Sequence, residues 1–210
     1  MKPISKIWLR AQLSVLDLIG DCRGIAAVEF AVIVPILLVM FFGTVEFSSG
    51  VAVDRKVTLV ARTLSDLTSQ SSLTLADGDL QNIFTASISI LTPYSPTPTK
   101  ARLSEIYIDS NQIAKIQWSK AATIASGATQ ATLTTSSRTA GDVVTSLVPP
   151  ALLVKQTYLI LSEVSYLYTP TIGYVMAKSG VTLSDVAYTR PRQLICVIYN
   201  NVPTAPCPTS

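Results

Sequence analysis

Apolar positions run almost unbroken from residue 26 to residue 47, AAVEFAVIVPILLVMFFGTVEF, with Glu29 and Glu46 as the only charges, one near each end. As a helix these 22 residues reach about 33 Å, enough to cross a hydrocarbon core of about 30 Å. The pattern predicts one membrane span over residues 25–47. Beyond it the period changes: Val53, Val57, Val60, Leu64 and Leu67 follow a heptad-like seam, while Asp54, Arg55, Lys56, Arg62 and Asp66 take other faces. That seam predicts a helix continuing out of the membrane as a stem, packed on its own domain or on another subunit. The Ser/Thr/Gln cluster at residues 68–72 ends it. Asp77-Gly78-Asp79 then opens a second amphipathic helix with Leu80, Ile83, Phe84, Ile88 and Leu91 on one face, the turn capping the helix rather than holding calcium. Stem and second helix together occupy residues 48–92.

Three prolines, Pro93, Pro96 and Pro98, break regular structure and mark residues 93–100 as a stiff connector. Residues 101–210 then read as a distal β-rich domain. Residues 101–108 and 113–119 flank a hairpin turn at Asp109-Ser110-Asn111-Gln112. Residues 123–139, rich in Ser, Thr, Ala and Gly, read as an exposed loop or weak edge. Residues 141–154, broken at Pro149-Pro150, read as a loop or helical turn. The strand pattern resumes at 156–168, 181–189 and 193–199. Two helices followed by several strands predict an α+β protein with an antiparallel sheet.

The leader, residues 1–24, places Ile4, Trp8, Ala11, Val15 and Leu18 at helical spacing beside Lys2, Lys6 and Arg10, as in a basic amphipathic helix on a membrane surface. It carries Lys2, Lys6, Arg10 and Arg23 ahead of the span, and no Lys or Arg follows the span until Arg55. That bias places the N-terminus in the cytoplasm and the domain across the membrane, in the periplasm. No small-x-small cleavage site follows the apolar run, so the segment is unlike a standard secretory signal.

Hydrophobic residues make up 49% of the chain and charged residues 14%, an apolar balance that the span explains in part. The net charge of +3 gives no nucleic-acid footprint. Histidine is absent, which removes Ser-His and Cys-His catalysts, and no phosphate-binding glycine motif occurs. The reading calls for no enzyme activity, no cofactor and no metal. Of the three cysteines, Cys22 lies in the leader. Cys196 and Cys207, eleven residues apart, would close a small disulfide loop in an oxidising compartment.

Glu29 is the residue in the span that asks for a reason. A carboxylate in a membrane is costly, less so near an end, and a boundary residue snorkelling to the headgroups is one reading. Spacing gives another, because Glu29 is the fifth residue after Gly24. A cut after Gly24 would leave Ile25 with a free, mostly cationic amine. A buried carboxylate could pair with that amine on a neighbouring subunit, each charge neutralising the other. Pro35, within the span, predicts a lost backbone hydrogen bond and a kink that could let packed helices adjust.

The string RGIAAVEFAVIVPILLVMFFGTVEF resembles the prepilin cleavage signature, glycine then four residues then glutamate, and looks like the TadE-type pseudopilins of the Tad (Flp, tight-adherence) pilus system. The resemblance covers about residues 22–62. It implies a minor pilin-like structural subunit in the bacterial inner membrane or in a pilus on the cell surface, with a pilin-like sheet domain. Processing by a prepilin peptidase would involve Gly24, Ile25, Glu29 and Phe30, and subunit packing Ile25, Glu29 and Pro35. Its partners would be other pilins and pseudopilins, the peptidase and the pilus assembly platform. The chain lacks the D-x-S-x-S string of larger TadG relatives. Two other classes stay open at this stage: a membrane-tethered binding or adhesin module outside a pilus, and an anchored enzyme.

Overall fold

The computed structural model describes residues 23–72, 74–170, 179–203 and Cys207. The amphipathic leader helix expected within residues 1–22, and Cys22, lie outside the described residues. The first element, α1, is a single helix from Arg23 to Ser69. It joins the predicted span and stem without interruption. α2 covers Asp77–Ile88 and passes into a 3-10 turn, Ser89–Leu91. The first turn of α2 is acidic, as the helix dipole favours, and Asp79 Oδ2 accepts the backbone N–H of Ala76 at 3.0 Å.

Five antiparallel strands follow: β1 Thr99–Ile108, β2 Ala114–Thr123, β3 Thr132–Thr135, β4 Thr157–Tyr168 and β5 Val181–Thr189, in the order β3-β2-β1-β4-β5. The protein is α+β, a long apolar N-terminal helix followed by an antiparallel sheet. β1 begins at Thr99, inside the expected connector, and β3 forms an edge within the Ser/Thr-rich stretch. Gln117 bulges from β2, since Glu105 faces Trp118 while Ile106 faces Ile116. β5 starts after Gly180, whose φ of +81° and 2.8 Å approach of a built Cβ to the Tyr168 carbonyl leave room only for glycine.

Alternation along β1 and β4 sends Ala101, Leu103, Glu105 and Tyr107, with Tyr158, Ile160, Ser162 and Val164, to one face. The second half of α1 lies on this face. Val53, Val57, Val60, Ala61 and Leu64 are fully buried and share a core with Leu80, Phe84 and Ile88 of α2 and Leu103, Trp118, Ile160 and Val164 of the sheet. Each large side chain so buried contributes about 1.5–3 kcal/mol. The stem seam therefore packs on its own domain. Polar contacts fix the register: Ser162 Oγ donates to the Ala61 carbonyl at 2.5 Å, and Thr189 Oγ1 to Ser65 Oγ at 3.0 Å. Lys56 Nζ caps the end of the second helical unit, donating to the carbonyls of Ile90 and Thr92 at 2.8 Å.

The opposite face of the sheet is covered at one end only. There Ile106, Ile108, Ile116, Leu159 and Leu161 pack under Val144 and Val148 from the 141–154 segment, which includes a 3-10 turn at Pro150–Leu152.

The strand expected at residues 193–199 does not form. The chain instead crosses the helix-side face as a strap, and its backbone groups bond outside any ladder. Val197 N–H donates to Glu105 Oε1, Trp118 Nε1 donates to the Val197 carbonyl at 2.8 Å, and Leu75 N–H donates to the Ile198 carbonyl at 2.8 Å. Val197 and Cys196 are fully covered, so apolar character here reflects burial against a sheet face, not membership of the sheet.

Candidate functional site

The first half of α1 stands clear of the other described residues. Ile25 is 57% exposed and Phe30 69%, and Val32, Ile36, Leu37, Met40 and Phe41 are exposed as well. A contiguous apolar surface of this length is not left in water by a folded protein. Among the described residues, α1 is the one helix long and apolar enough to cross a membrane. Covering begins at Glu46, 3% exposed, whose carbonyl accepts from Tyr168 Oη at 3.4 Å at the end of β4. The membrane-length segment and the spine of the domain are thus one continuous helix.

Gly24, Ile25, Glu29, Phe30 and Pro35 all fall on the exposed part of this rod. Ile25 and Glu29 are one turn apart and share a helix face, and helical side chains lean toward the N-terminus. A Cβ built on Gly24 meets open space, so no packing among the described residues demands glycine there. Pro35 removes the N–H that would bond the Ala31 carbonyl, and the helix runs through it. Residues 24–64 match the family model described as TadE-like protein. This TadE-like segment ends at Leu64, so it takes in the exposed rod and most of the stem but none of the sheet. No curated protein and no solved structure matches the chain. The TadE-like match over residues 24–64 and the exposed apolar helix together fit a single-pass, membrane-anchored protein.

The two cysteines lie elsewhere. α1 runs along β4 from Tyr168 toward Ile160, and the Cys196–Cys207 disulfide, with Cα atoms 6.0 Å apart, sits beyond the end of that run against Tyr107 and Tyr158. The structure therefore separates the predicted residues into two places. The glycine, glutamate and proline occupy the free end of the rod, and the disulfide locks the strap at the far pole of the domain.

Sequence reasoning missed Glu105, which holds that strap. It is fully buried on β1, and burial pushes its carboxyl up to about 8, opposed in part by the Val197 N–H and by Trp118. Its signal was available: in ARLSEIYI it takes the third of four inward positions after Ala101 and Leu103. Also unforeseen is Arg138, from the Ser/Thr-rich stretch, which clamps Glu163 on β4 with Nη2 at 2.5 Å and Nε at 2.9 Å. Tyr199, beside Trp118 with ring centroids 5.3 Å apart, donates its hydroxyl to Asp77 and so ties the strap to the first turn of α2.

Proposed function

We propose that this protein is a pseudopilin or minor pilin-like structural subunit for assembly of a Tad-type pilus. In this reading a prepilin peptidase cuts after Gly24, leaving Ile25 as the new N-terminus. The mature subunit then packs through the exposed half of α1 against other pilin-like helices at the inner membrane, where an assembly platform would receive it. Glu29 pairs with the Ile25 amine of a neighbouring subunit.

The observation that carries the proposal is the unbroken helix α1, bare along its N-terminal half and packed along one face as the domain's spine in its second half. A simple tether need not be rigidly continuous with the core. A packing helix gains from it, because any register set between neighbouring helices is passed directly to the domains they carry. The TadE-like match over the same residues supports the assembly role. The basic residues of the leader support an N-terminus in the cytoplasm, and the Cys196–Cys207 bond suits a domain in an oxidising compartment. A prepilin-type leader also gives Gly24, which has no packing role among the described residues, a reason to be glycine.

N-terminal sequencing of the mature protein tests the reading. It should begin at Ile25, and Gly24→Val should retain the leader and migrate as a heavier band. Native protein that still begins at Met1 in cells with an active prepilin peptidase would overturn it.

A further inference from the structure

The sheet face opposite α1 is apolar under the 141–154 segment but polar and bare at its other end. There the register aligns Thr123, Lys100, Ser165 and Ser184 in one row across four strands, and Ala121, Arg102, Glu163 and Val186 in the next. These rows floor an open groove of about 480 Å³, walled by Thr134 and Ser137 from β3 and the residues after it. Lys100 and Ser184 are exposed in it.

The charges in this groove are unequally used. Glu163 is held by both nitrogens of the Arg138 fork, at 2.5 and 2.9 Å, a bidentate arrangement that satisfies both its oxygens. Arg102 reaches the same carboxylate through Nη1 alone, at 3.3 Å, and its buried Nε has no hydrogen-bond partner among the described residues. A guanidinium has five donors and no acceptor, and among the described residues Arg102 spends one of them, a single Nη1 contact, on Glu163, so its charge is only partly used; the buried Nε itself is not open to the groove. Lys100, beside it, lies in no ion pair among the described residues. The lining itself carries Lys100 and Arg102 against Glu163 and Asp185, and Arg138, outside the lining, neutralises Glu163, which leaves the two lining cations facing Asp185 alone among hydroxyls.

We propose that this groove binds a carboxylate presented by an acidic segment of a partner protein. Arg102 and Lys100 receive the carboxylate, and the hydroxyls of Thr123, Ser165 and Ser184 bond its neighbouring polar groups. Charge complementarity selects the occupant, and the absence of any aromatic side chain among the lining residues removes the stacking platform that a sugar ring would use. The site does not rest on the assembly reading, since it lies on the face away from α1.

The test uses the full chain in detergent micelles and a fluorescent oligoglutamate peptide, with oligoglutamine and an oligogalacturonate of matched length as the other arms. Oligoglutamate should bind, oligoglutamine should not, and binding should weaken steeply with added salt. Arg102→Gln should weaken binding by roughly threefold to tenfold, in keeping with loss of a charge-assisted contact, while leaving the Arg138–Glu163 clamp in place. Equal binding by wild type and Arg102→Gln, no binding of oligoglutamate, or preference for the oligogalacturonate would overturn the proposal. Should Arg102→Gln lower the melting temperature, Ser184→Asp decides in its place. It puts a like charge at the exposed rim, and unchanged peptide binding by that variant overturns the proposal equally.

Discussion

The backbone N–H of Val197 donates to Glu105 Oε1 at 2.5 Å, so one buried carboxyl on the inner face of β1 holds the C-terminal strap across the sheet. Both groups are fully covered.

Burial raises the Glu105 carboxyl from an ordinary 4.5 to about 8 in the folded chain. Between those values the folded state holds a proton that the unfolded state has released. Stability therefore falls as pH rises from about 4.5 to about 8, with a slope approaching 1.4 kcal/mol per pH unit, and levels off above. Glu105→Gln keeps an acceptor for Val197 but carries no titrating proton. Denaturant unfolding across this window should show the wild-type slope flattened in the variant, and the variant the more stable of the two at pH 9. Parallel pH profiles would mean that Glu105 is charged in the fold.

The Cys196–Cys207 bond closes a loop of eleven residues' separation over Tyr107 and Tyr158. A loop of this size contributes about 2–3 kcal/mol. Non-reducing peptide mapping should recover the two cysteines linked. Reduction should loosen the strap first, seen as faster amide hydrogen exchange at Val197 while Leu64 and Ile160 stay protected. Uniform loss of protection would show instead that the strap and the sheet open together.

Leu64 and Ile36 lie on one helix and separate its two uses. Leu64 is fully buried against the sheet, whereas Ile36 is exposed. Leu64→Ala should cost about 2–5 kcal/mol in denaturant unfolding of the full chain in micelles. Ile36→Ala trims an exposed side chain and should change that stability by no more than about 0.5 kcal/mol. Its effect belongs to contacts between chains, read as weaker crosslinking to partner helices.

Much of the fold could be read from periodicity because burial is one-sided there. The run through residues 26–47 and the seam Val53, Val57, Val60 and Leu64 prescribe one rod with two environments, and β5 occupies the residues its alternation marks. Periodicity could not separate a strand from a covered strap at residues 193–199, since both are apolar and short. Nor could it foresee the Arg138–Glu163 clamp, whose partners are 25 residues apart and meet only through sheet register. The exposed residues of α1 stood out in the sequence because no neighbour in the chain is needed to define them.

In the proposed assembly Glu29 sets how that exposed surface is used. It sits on the bare half of α1, one turn from Ile25, in a segment whose other side chains are apolar. A lone carboxylate in lipid is the expensive species, and a free amine at Ile25 is costly for the same reason. In the proposed assembly, pairing the two across subunits would remove both penalties at once and fix the axial offset between neighbouring helices. Glu29→Gln keeps the shape and removes the charge. Insertion should then be as efficient or better, and cutting after Gly24 should largely persist, because the scissile bond is unchanged. Association should fail, read as lost crosslinking or co-purification with partner pilins and loss of surface pili. Normal assembly by a variant that is inserted and cut would leave Glu29 as a residue of the membrane boundary and nothing more.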